Sequence, residues 1–78
     1  MPPVLREGGF EIRIYTDDHR PAHVHVYKGD AFVMYDLATL RLKAKKMAMS
    51  KSDVRKAYQL VFRHLKSLRK AWEEIHGD

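Results

Sequence analysis

Two periodicities and one capping signal predict an α+β fold: a small antiparallel sheet of three to four strands, about residues 10–43, followed by one long helix, about residues 51–76, packed on one face. In the first half, apolar and polar residues alternate through short runs separated by turn-forming residues. In the last third, apolar residues recur at three- and four-residue spacing. Between them stands "SKSD", with Ser50 placed to cap a helix and Asp53 three residues later in the manner of a capping box.

Each element has its own reason. "FEIRIY" (Phe10 to Tyr15) alternates, so Phe10, Ile12 and Ile14 share one face of a strand. "TDDHRPA" is turn chemistry. "HVHVY" (His23 to Tyr27) alternates again, and "KGD" supplies a glycine for a hairpin before "AFVMYD" (Ala31 to Asp36). "TLRLK" (Thr39 to Lys43) reads as a short edge strand carrying lysine. In the helix, Val54, Ala57, Tyr58, Val61, Leu65, Leu68, Trp72 and Ile75 form the apolar stripe, with Trp72 and Tyr58 read as core, and Gly77 is a natural stop. Met47 and Met49 are expected to pack at the start of the helix. The sheet face under the helix is expected to hold Ile12, Ile14, Val24, Val26, Leu40 and Leu42. His23, His25 and Tyr27 then fall on the other face, which one helix leaves accessible.

At 78 residues the chain is one domain with a thin core, which a second copy or a partner protein would supplement. A content of 45% hydrophobic and 32% charged residues is that of a globular chain. There is no cysteine, which excludes disulfides and thiolate metal sites. No apolar run approaches the roughly 20 residues that span a bilayer, and the start has no signal-peptide pattern, so a cytoplasmic protein with no membrane partner is expected. Charge is uneven. Residues 1–36 carry four Lys/Arg against six Asp/Glu, whereas residues 37–78 carry eleven against four. Arg55, Arg63, Lys66 and Lys70, with Lys56 and Gln59, lie opposite the apolar stripe. They form either a solvated helix face or a surface for RNA or an acidic partner.

The chemistry concentrates in "DDHRPAHVHV", residues 17–26. His23 and His25 project from the same side of a strand about 7 Å apart. With a third ligand from the turn, His19 or alternatively Asp17 or Asp18, they make a candidate site for a divalent transition metal such as zinc, manganese, iron or nickel. With Asp18 to orient a ring, His23 and His25 are equally a candidate acid–base pair for cleaving an RNA phosphodiester. The structural alternative has Asp17 or Asp18 capping the turn and the two histidines lying on a face that meets a partner or a second copy of the chain. His64 and His76 are not read as ligands. The string of alternate histidines seen in histidine-triad nucleotide hydrolases is not completed, because its third member would fall at Tyr27.

These residues carry a family resemblance. Asp18, His19, Pro21, His23, Val24, His25, Val26, Gly29, Ala71 and Trp72 fit the pattern of the small bacterial proteins catalogued as domain of unknown function 4160, with Ala22 where many members have a second proline. The resemblance spans nearly the whole chain. It implies no settled activity and no established catalytic residues. It does imply a toxin-like component of a toxin–antitoxin-type gene pair, with a small partner protein encoded nearby. The competing expectation is a histidine-dependent enzyme, an RNase or metal-dependent hydrolase using His19, His23 and His25.

Overall fold

The computed structural model describes residues 3–46 and 49–77. Five strands, β1 (Leu5–Glu7), β2 (Phe10–Arg13), β3 (His23–Lys28), β4 (Ala31–Asp36) and β5 (Leu42–Lys46), form one antiparallel sheet in chain order. Two helices follow, α1 (Lys51–Arg63) and α2 (Leu65–His76). The α+β class and the antiparallel sheet agree with the sequence reading. The element count does not: there are five strands rather than three or four, and two helices rather than one.

The additional strand is β1. It joins β2 through Gly8 and Gly9, which both take positive φ (60° and 84°), as a tight two-residue hairpin turn requires. β5 starts later than expected. The Asp36 carboxylate accepts the backbone N–H groups of Ala38 and Thr39 (2.7 and 2.9 Å), and Leu40 N–H donates to the Asp36 carbonyl (2.8 Å). These bonds hold Thr39 and Leu40 in a turn, with Leu40 at φ 61°, so the strand begins at Leu42. The Asp36 carboxyl is held below its ordinary range by the Thr39 N–H first, with burial opposing and the Ala38 N–H adding.

Ser50 caps α1, its Oγ accepting Asp53 N–H at 3.0 Å. The helix then breaks at His64, whose φ/ψ of −110°/20° is not helical. No proline or glycine lies there. The break coincides with a tie to the unforeseen first strand: His64 Nε2 and Arg63 Nη1 both reach the Glu7 carboxylate, at 3.1 and 3.0 Å.

The core lies between the sheet and the helices. Register places Ile12 beside Val26 and Val26 beside Val33, and Val24 beside Tyr35, all on one face. With Phe10, Ile14, Leu37 and Met49 they pack against Ala57, Leu60, Val61, Leu68 and Trp72. Met47 lies outside the described residues. Two expected core members are corrected. Leu42 is 46% exposed and Tyr58 40%, with α1 packing on the sheet chiefly over β4; Leu60, not counted in the predicted stripe, is buried instead. Leu40 is only partly covered, being held in the turn before β5. Among the described residues, no helix is long and apolar enough to cross a membrane.

Candidate functional site

Period-2 geometry puts His23, His25 and Tyr27 on the face opposite the core, as expected: Arg13, His25 and Met34 are register partners, as are Glu11, Tyr27 and Phe32. Their expected accessibility is overturned. His23 is only 7% exposed and the His25 side chain 12%. Because the helix divides at His64, α2 brings the Trp72 ring to within 5.4 Å of the His23 ring. On the other side the His25 ring is enclosed by Tyr15, Tyr27 and Phe32, with ring centroids 4.9, 6.4 and 5.8 Å away.

The turn after β2 supplies the third member of the cluster. Asp18 N–H donates to the Tyr15 carbonyl (3.1 Å), and Asp18 Oδ2 accepts Tyr15 N–H (2.9 Å). This reciprocal pair folds the carboxylate inward over the sheet face and leaves the next residue, His19, pointing to solvent. Asp18, His23 and His25 thereby each present one ligand atom within 4.8 Å of the others. The Asp18–His23–His25 set expected for acid–base chemistry is brought together. Of the expected metal ligands, His23, His25 and the alternative third ligand Asp18 are together, and His19 is not among them.

The hydrogen bonding around these three groups decides what fits between them. His23 Nδ1 lies 2.9 Å from the Pro21 carbonyl, which can only accept, so Nδ1 carries the proton. In the neutral ring, Nε2 is then a lone pair, and it faces Asp18 Oδ1 at 3.5 Å. His25 Nδ1 is buried without a hydrogen-bond partner, 3.9 Å from Asp18 Oδ2. Burial above all lowers the His25 pKa; Asp18 opposes that shift, His23 reinforces it, and a hydrogen bond to the Arg13 backbone opposes it again. His25 is therefore a neutral imidazole at neutral pH. A ring nitrogen of each histidine thus faces one carboxylate, an arrangement favourable with a proton or a cation between them. Tetrahedral zinc with bonds of about 2.05 Å sets its ligand atoms roughly 3.4 Å apart. The 3.5 Å separation is close to that, the 3.9 Å separation is longer, and all three ligand atoms lie within 4.8 Å of one another.

Around the centre, Tyr15 and Tyr27 share a 2.7 Å hydroxyl–hydroxyl bond; burial first, and that bond second, push the Tyr27 phenol up to about 12. Two clefts flank the cluster, one of about 390 Å³ bordered by Arg13, Tyr15 and Tyr27, the other of about 380 Å³ bordered by Ala22, Leu37, Arg69 and Trp72. Trp72 was read from the sequence as core; its contact with His23 had no sequence signal. The predicted cationic residues Arg55, Arg63, Lys66 and Lys70 are all exposed on the helices, with Arg63 engaged by Glu7.

Fold and centre together define a small α+β protein with an Asp–His–His cluster set between a sheet face and a folded turn. The family model described as "Domain of unknown function (DUF4160)" matches residues 9–73, and the chain belongs to that family. No curated protein and no solved structure gives a match.

Proposed function

We propose that Asp18, His23 and His25 bind one divalent transition metal of the zinc class, and that the chain is a small metal-dependent protein. One observation carries this reading: a ring nitrogen from each of two histidines and a carboxylate converge in a largely buried site, and His25 Nδ1 has no hydrogen-bond partner there. The Pro21 carbonyl fixes the His23 tautomer, the role a backbone carbonyl commonly serves behind a metal-binding histidine. Three protein donors leave a coordination position for water or substrate, which is the arrangement of hydrolytic zinc rather than of closed structural sites. Hydrolysis is accordingly the reaction class the site supports, and a phosphodiester such as RNA is the substrate suited to the basic second half.

The test is titration of metal-stripped protein with Zn2+ by calorimetry and with Co2+ by its visible d–d absorption. The expected result is one equivalent bound, lost in Asp18→Asn and His25→Gln and kept in His19→Ala. Absence of stoichiometric binding, or equal losses in His19→Ala and Asp18→Asn, overturns the reading.

A second reading is favoured by the exposed cations Arg55, Lys66 and Lys70 on the two helices. It is a toxin-like half of a two-protein, toxin–antitoxin-type pair in the cytoplasm, held by a small partner protein and contacting RNA. Co-expression with the neighbouring gene product tests it: a stable complex at one defined mass supports it, and two separately eluting proteins remove it.

A further inference from the structure

The three large hydrophobic side chains exposed among the described residues are not scattered. Leu42 is 46% exposed, Tyr58 40% and Phe62 62%. Tyr35 links them. It is the register partner of Leu42 across β4 and β5, so both side chains point to the helix side of the sheet. Its ring contacts Tyr58 at 5.9 Å, and Tyr58 stacks on Phe62 at 6.4 Å and 12°. The result is an apolar strip that runs, over the buried Tyr35, from Leu42 on the edge strand to Tyr58 and Phe62 on α1. Single exposed apolar residues need no explanation, whereas a contiguous group marks an interaction surface.

The strip adjoins an open sheet edge. β5 is last in the strand order and pairs only with β4 among the described residues, so its outer row of N–H and C=O groups is unpaired within the sheet. The surroundings are basic. Arg41, Lys43, Lys51 and Arg55 are all exposed, and β5 itself reads Leu-Lys-Ala-Lys-Lys. A second copy of this chain would bring the same cations to the same place and be repelled. An anionic partner is attracted.

We infer that the outer edge of β5 and the Leu42–Tyr58–Phe62 strip receive an extended, acidic segment of a partner protein, added to the sheet as a sixth strand. Every second side chain of such a strand falls on the helix side, against Leu42 and beneath Tyr58 and Phe62, and specificity follows from that alternation. An edge of alternating backbone donors and acceptors is complementary to another strand, not to a nucleic acid. This inference rests on the partner-binding half of the second reading above and adds to it the surface and the chemistry of the partner.

The test is an amide chemical-shift titration of the 15N-labelled full chain. The probes are a synthetic ten-residue peptide of alternating Glu and Val, its Lys–Val counterpart and an oligouridylate. The Glu–Val peptide should move the amides of Leu42, Tyr58 and Phe62, slow hydrogen exchange along β5, and bind at least ten-fold more weakly to Phe62→Glu, a substitution at an exposed position that leaves spectral dispersion unchanged. No shift with the Glu–Val peptide, shifts mapping elsewhere, equal binding of the Lys–Val peptide, or stronger binding of oligouridylate at these residues each overturns the inference. So does a homodimer that buries the strip in solution. Failure here removes this surface alone, because the co-expression complex tests the broader partner reading separately.

Discussion

Replacing Asp18 by Asn separates a metal site from a protonated ion pair, because the two make opposite predictions for the metal-free protein. Asn keeps an oxygen to accept Tyr15 N–H, the 2.9 Å bond that folds the turn. It replaces the other oxygen by an amide that can donate toward the imidazole lone pairs, of which His25 Nδ1 is buried and unpartnered. Satisfying such a buried group is worth about 1–3 kcal/mol, set against about 1 kcal/mol lost when the Tyr15 N–H bond loses its charge assistance. The net is about 1 kcal/mol in favour of Asp18→Asn when no metal is present. For a chain of this size that raises the melting temperature by roughly 4–8 °C. Metal reverses the order. A ligand at 100 times its dissociation constant stabilises the native state by about 2.7 kcal/mol, or roughly 10–20 °C, and should act on the wild type alone. Thermal unfolding of both proteins in chelator and in Zn2+ is the assay. If the wild type melts above Asp18→Asn in chelator and Zn2+ moves neither, a shared proton holds His23 to Asp18 and the cation argument is wrong.

Other perturbations probe the surroundings of the centre. His25 has a native pKa below its ordinary value of 6.5, so its contribution to stability is complete above pH 6.5 and is lost as pH falls toward the native value, where the unfolded chain takes up the proton first. Urea unfolding of metal-free protein at pH 7.5 and 5.5 should show this loss and show it reduced in His25→Gln; an unchanged pH difference in that variant contradicts the assignment. Trp72, 1% exposed, both fills the core and covers His23. Trp72→Ala should cost about 3–5 kcal/mol in denaturant unfolding, and Trp72→Phe should recover most of that while still opening His23 to solvent, read by faster deuterium exchange at its ring C2–H. Equal exchange in wild type and Trp72→Phe would mean that the indole does not shield the histidine.

The parts of this structure legible in sequence are those set by local period. Alternation in "FEIRIY" and "HVHVY" places Ile12, Val24 and Val26 on one face and His25 on the other. β1 was missed although its signal was present: "EGGF" is a glycine pair between two short runs, and both glycines take the positive φ of a tight hairpin. The division at His64 has no local signal, since the tie to Glu7 spans 57 residues. Burial of His23 was illegible for the same reason, because it depends on where α2 carries Trp72. Which of Asp18 and His19 joins the two histidines turns on one reciprocal hydrogen-bond pair with Tyr15. The residue spacing is compatible with either; the turn conformation selects Asp18.

The central claim is that His23 carries its proton on Nδ1 and offers Nε2 to a cation shared with Asp18 and His25. Long-range 1H–15N spectra of the imidazole rings, recorded at pH 7.5 before and after one equivalent of Zn2+, read this directly. The account predicts a neutral Nδ1–H tautomer for His23, with its Nε2 and the His25 Nδ1 resonances moving together on addition of metal and no change in His19. A doubly protonated His23 ring that is indifferent to Zn2+ would contradict it.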